Sequence, residues 1–125
     1  MSTTRNPVGW FEIPVEDMAR ARSFYEALFK VELEEAWMED HELAMFPMDE
    51  SAPGSAGCLT QGKGYAPSGD GVVIYFTAPD LDAAIQRADD NGGSVLLDRT
   101  SIGEHGFIAI VGDTEGNRIG LHSCN

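Results

Sequence analysis

The chain has 125 residues, enough for one compact domain with a true core, and 42% of them are hydrophobic. Its net charge of −13 repels phosphate backbones and anionic bilayers, which argues against nucleic acid or a membrane surface as a partner. No apolar run nears the length of a membrane span, the start MSTTRNP lacks a signal peptide's apolar core, and Cys58 and Cys124 have no CxxC spacing, so a cytosolic protein with two free thiols is expected.

The first pattern, GWFEIPVEDMARARSFYEAL, runs from Gly9 to Leu28. Phe11, Ile13 and Val15 alternate with Trp10, Glu12 and Pro14, the period of a half-buried strand. Asp17 then stands where a helix N-cap is wanted, and Met18, Ala21, Tyr25 and Leu28 follow helical spacing. The helix is expected to end near Phe29 and Lys30, and VELEEAWMED begins a second strand. HELAMFPM, from His41 to Met48, predicts a third, with Leu43 and Met45 on one face, Ala44 and Phe46 on the other, and a hairpin turn at Asp40. Asp49 to Gly57 reads as a Pro/Gly/Ser loop, a short fourth strand lies near Cys58 to Gln61, and GKGYAPSGDG crosses to the second half. Tyr65 in that crossing is either a lid over a site or a packed plug.

The second half retraces the first. VVIYFTAPDLDAAIQRADDN repeats the strand, the capping Asp at Asp80, and a helix with Leu81, Ala84, Ile85 and Ala88 on one face. Asn91-Gly92-Gly93 is a helix stop, SVLLD a strand, RTSIGEHG a loop or long hairpin, HGFIAIVG a seventh strand, and Asp113 to Asn117 a tight turn into RIGLHS. GDTEGN lacks the Lys and following helix of a phosphate loop. His41 and His105 fall at matching places in the two halves and support the repeat. A duplicated β-α-β-β-β unit follows, because one copy could not cover its own sheet.

The strand-Asp-helix entry with FYEAL, the NGG stop and the closing DTEGNRIGLHS resemble the vicinal oxygen chelate superfamily, which includes glyoxalase I, extradiol dioxygenases, fosfomycin-resistance enzymes and bleomycin-resistance proteins. The resemblance covers nearly the whole chain. It implies an α+β fold of two βαβββ modules, about residues 7–62 and 70–123 of a single domain spanning 1–125, each curling a mixed sheet into a cup with its helix outside. It also implies that two modules enclose the site, often across a homodimer, and an open sheet edge supports that expectation.

Turning the apolar face toward the helices puts Phe11, Ile13, Val15, Leu59, Val72, Ile74, Phe76, Ile119 and Leu121 in the core. The cup then receives Trp10, Glu12, Pro14, Cys58, Thr60, Val73, Tyr75, Thr77, Arg118, Gly120 and His122. Metal-dependent relatives place ligands at positions that correspond to Trp10, Cys58, Val73 and Gly120, of which only Cys58 could bind, so no cofactor is expected at the usual site. A divalent metal would need a displaced set of Glu12, Cys58 and His122. The alternative is a buried Glu12 held by Arg118 or His122. Metal-free chemistry would use Glu12 as general base, His122 as its acid partner and Tyr75 as donor to a carbonyl or enolate oxygen. Trp10, Cys58, Thr60, Val73, Thr77 and Arg118 would contact the substrate. Two functions stay open: a glyoxalase-like lyase or isomerase acting on a small carbonyl compound, and a metal-free protein that binds a small molecule or drug.

Overall fold

In the computed structural model, which describes residues 6–125, the eight strands pair as two four-stranded mixed sheets. The first half contributes β1 (Phe11–Pro14), α1 (Met18–Phe29), β2 (Glu34–Met38), β3 (His41–Met45) and β4 (Gly57–Gln61). The second contributes β5 (Tyr75–Thr77), α2 (Leu81–Asp90), β6 (Ser94–Ser101), a short 3-10 turn at Gly103–His105, β7 (Phe107–Gly112) and β8 (Arg118–Ser123). Strand order is β1-β4-β3-β2 in one sheet and β5-β8-β7-β6 in the other. In each, the first strand runs parallel to the fourth and the remaining pairs are antiparallel. The expected βαβββ duplication is therefore present, as an α+β fold.

Both helices start as their sequences demand. Asp17 and Asp80 hold extended backbone, and their carboxylates accept from the N–H groups of Arg20 and Ala83, each at 3.1 Å. The Gln61 side chain adds an acceptor for Met18 N–H at 2.8 Å, so the end of β4 also caps α1. Lys30 ends α1 in the left-handed region, and α2 ends at Asn91 with Gly92 at positive φ.

One core joins the two halves. Ile13, Leu59 and Ala44 of the first sheet, Val15 just after β1, and Ala109, Val111, Ile119 and Leu121 of the second sheet bury against Met18, Ala21, Tyr25, Leu28, Leu81, Ala84 and Ala88 of the helices. The helices touch each other, and Arg87 Nε of α2 donates to the Leu28 carbonyl of α1 at 2.7 Å.

Three sequence expectations change. The fifth strand starts at Tyr75, not Val72, and Val72 is 90% exposed instead of core. Gly120 pairs with Tyr75, so Val73 would have to oppose Arg118, but the Arg118 guanidinium reaches back to the Gly71 carbonyl at 3.1 Å and the chain leaves the ladder. The sixth strand runs through RTS to Ser101 with two register irregularities, which leaves only a short connection to β7. The third strand stops at Met45 because Pro47 has no N–H to continue the ladder.

Candidate functional site

Period two within β1, β3 and β4 sorts the first sheet into a helix side and an outer side. Register pairs Glu12 with Cys58, Pro14 with Thr60, Thr60 with Leu43 and Cys58 with Met45, so these side chains share the outer side. Cys58 and Thr60 are each 1% exposed, whereas Glu12 is open to solvent. The cover over the face comes from the crossing loop. Tyr65 O–H donates to Glu12 Oε1 at 2.8 Å, and its ring meets His41 edge-on at 5.3 Å. His41 in turn places Nε2 3.0 Å from the Lys63 carbonyl, which ties the loop to β3. Together Glu12, Glu39, His41, Leu43, Thr60 and Tyr65 surround a cavity of about 260 Å3.

The titration of these groups follows from their neighbours. The hydrogen bond to the Glu12 carboxylate raises the Tyr65 pKa, since losing the phenolic proton would set two negative charges together. Burial pushes the Cys58 thiol up, outweighing hydrogen bonds from Thr60 and Trp10 that pull it down. Cys58 is therefore a protonated, inert thiol with Thr60 Oγ1 at 3.4 Å from its sulfur.

The remaining expected site residues lie elsewhere. Arg118 and Glu12 line one cavity of about 200 Å3 without forming an ion pair, and the buried Arg118 Nε has no hydrogen-bond partner among the described residues. Val73, Tyr75 and Thr77 line another, of about 570 Å3, with Val8 and Phe11. His122 pairs with Thr77 in register and sets Nε2 2.7 Å from the His105 carbonyl. Tyr75, 46% exposed, lays its ring across Gly120, where a Cβ would strike it. Glu12 is thus neither buried nor held by Arg118 or His122, and its partner is Tyr65, which the sequence offered only as a lid or plug. No pattern could have named that contact, because it depends on how the crossing loop folds.

Among the described residues no three His, Cys, Asp or Glu side chains are gathered to hold a metal ion. The residues at the superfamily's ligand positions do not fit one either. Trp10, Val73 and Gly120 carry no ligand side chain, which leaves Cys58 alone at those positions, and one thiol does not hold a metal ion. Within one chain Glu12 and Cys58 lie on the first sheet and His122 on the second, and among the described residues the three are not gathered into one group.

The family model described as Glyoxalase/Bleomycin resistance protein/Dioxygenase superfamily matches residues 8–121. The chain belongs to this superfamily. A curated relative, "Putative glyoxylase CFP32" from Mycobacterium tuberculosis, is 24% identical over 131 residues, which cover 93% of this chain and 45% of that protein. The chain thus spans about half the length of the curated relatives it matches. Among solved structures, TnmS3, an antibiotic binding protein from Streptomyces sp. CB03234, superposes with a TM-score of 0.73 at 22% identity, covering 98% of each chain. A glyoxalase/bleomycin resistance protein from Albidiferax ferrireducens gives 0.70 at 20% identity, covering 93% of this chain and 98% of that one. At such identities these superfamily structures share the fold. No helix among the described residues is long and apolar enough to cross a membrane.

Proposed function

We propose that this superfamily member binds a small organic molecule on the outer side of its first sheet, with Glu12 as the polar anchor and Leu43, Thr60 and Tyr65 as walls. The observation that carries the reading is the Tyr65 O–H donated to Glu12 at 2.8 Å. A solvent-open carboxylate that already accepts a phenol presents a place where a ligand's own donor can enter, beside a face of buried apolar and hydroxyl groups. The antibiotic binding protein TnmS3 supports a binding role by analogy of fold.

The test is a fluorescence and thermal-shift screen of small carbonyl and aromatic compounds, followed by recovery of each hit. A binder returns its ligand unchanged, and Glu12→Gln weakens it by roughly tenfold, the loss of one charge-assisted hydrogen bond. Full affinity in Glu12→Gln would overturn the anchor.

The same contact favours a second reading. A carboxylate hydrogen-bonded to a phenol can take a proton next to a ligand carbonyl and pass it on, with Glu12 as base and Tyr65 holding the oxygen. Conversion of a hit, lost in Glu12→Gln while binding persists, would select this reading. His122 and Tyr75 would enter such chemistry only from a neighbouring copy. A homodimer in the cytosol would bring the second sheet's outer side, with Val73, Tyr75, Thr77, Arg118 and His122, against the first. Exposed Trp37 and Met38 on edge strand β2 and Leu96 on edge strand β6 support that assembly. Sedimentation showing monomer alone would remove it.

A further inference from the structure

A further cavity, of about 350 Å3, opens on the helix side of the molecule, where β1, β5 and α2 converge. Its walls are Phe11, Phe29, Phe46 and Phe76, none of them fully buried. Phe76 is the hub, with ring centroids at 5.5, 4.6 and 5.7 Å from Phe11, Phe29 and Phe46. These spacings are those of aromatic pairs in contact, so the rings form a continuous wall. Gly57 fixes one side of it. A side chain there would run into the Phe11 carbonyl and ring, and its absence lets Phe11 lie across β4.

A core built for packing alone would close such a space, because each ring left partly exposed forfeits apolar burial at roughly 25 cal/mol per Å2. The rim is polar and balanced. Arg87 gives Nε to the Leu28 carbonyl and joins no ion pair among the described residues, leaving further guanidinium donors at the mouth. Asp80 spends one carboxylate oxygen on Ala83 N–H and keeps the other. One cation and one anion at the mouth cancel, and the chain's charge of −13 opposes an anionic guest.

We propose that this cavity is a second binding site, separate from the Glu12 face, for a neutral, flat aromatic molecule of one or two fused rings that carries an acceptor for Arg87. The volume sits at the small end of ligand sites, which sets the ring count.

The probe is 6-propionyl-2-(dimethylamino)naphthalene, a neutral two-ring ketone, titrated into the full chain and followed by its fluorescence, with anilinonaphthalenesulfonate as the charged counterpart. Saturable enhancement is expected with the neutral probe and weaker binding with the sulfonate. Ala84→Leu, which fills the cavity from α2, and Ser55→Trp, which plugs it from the exposed loop, should each weaken the neutral probe by roughly tenfold. Ser55→Trp keeps the test open if Ala84→Leu fails to fold. Glu12→Gln and Tyr65→Phe should leave the titration unchanged. No saturable enhancement, tighter binding of the sulfonate, wild-type binding by a folded filled variant, or loss of binding in the Glu12 or Tyr65 variants would each overturn the site.

Discussion

Glu115, in the turn between β7 and β8, reaches across to Arg20 on α1 and meets its Nε at 2.7 Å, 95 residues away in sequence. The same carboxylate accepts from the backbone N–H groups of Glu16 and Asp17 at 2.9 and 2.8 Å and from the Thr114 hydroxyl at 2.9 Å. The closing turn of the second module therefore pins the start of the first module's helix. Burial raises the Glu115 pKa, but the Arg20 guanidinium, the Asp17 N–H, the Thr114 hydroxyl and the Glu16 N–H together bring it down to about 2.

That depression makes stability depend on pH. A carboxyl whose folded pKa lies below its unfolded value contributes stability above the unfolded value, and the contribution is lost as pH falls toward the folded one. The Glu115 contribution should be complete above about pH 5 and fade between there and pH 2. Because Arg20 is 49% exposed, water screens part of the gain, leaving about 1 to 2 kcal/mol at neutral pH. Urea melts of Glu115→Gln against the wild type should show that gap at neutral pH and its closure in acid. A gap that stays constant down to pH 3 would contradict the assignment.

Tyr25 is fully buried in α1 and donates to Asp113 Oδ2 at 2.7 Å, a contact between the first module's helix and the second module's turn. Burial and the Asp113 charge raise its phenol well above the ordinary value, so it stays a donor throughout the accessible range. Tyr25→Phe should cost about 1 to 2 kcal/mol, since Asp113 keeps donors from Glu115, Asn117 N–H and Asn117 Nδ2. Chemical denaturation with an unchanged m-value would check it.

The two N-caps are equivalent by geometry. Asp17→Ala and Asp80→Ala should each lower stability by about 1 kcal/mol, and the double variant by close to the sum, because each carboxylate serves only its own helix. A thermal-melt series over the four proteins measures both effects.

Cys58 and Cys124 should react at different rates with iodoacetamide. Cys124 is exposed, whereas Cys58 is buried and its thiol pKa is raised. Mass spectrometry of briefly treated native protein should show one label, on Cys124, and a second only after denaturation. Equal labelling of both in the folded protein would mean that the outer side of the first sheet opens readily.

The sequence by itself determined the repeat. Period-two alternation in Phe11 to Val15, helical spacing behind Asp17 and Asp80, and the NGG stop are local signals, legible because each is enforced within a few residues by sterics and hydrogen bonding. The same periodicity sorted Glu12, Cys58 and Thr60 onto one side of the first sheet. Tertiary structure alone decided what those residues meet. Glu12 found Tyr65, His122 found the His105 carbonyl, and Val72 left the core for solvent. The turn from Asp113 to Asn117, plain in sequence, became the brace between modules because Tyr25, Arg20 and the Pro14 carbonyl converge on it. Such partners lie far apart along the chain, and a pattern of one strand or helix carries no term for the position of another.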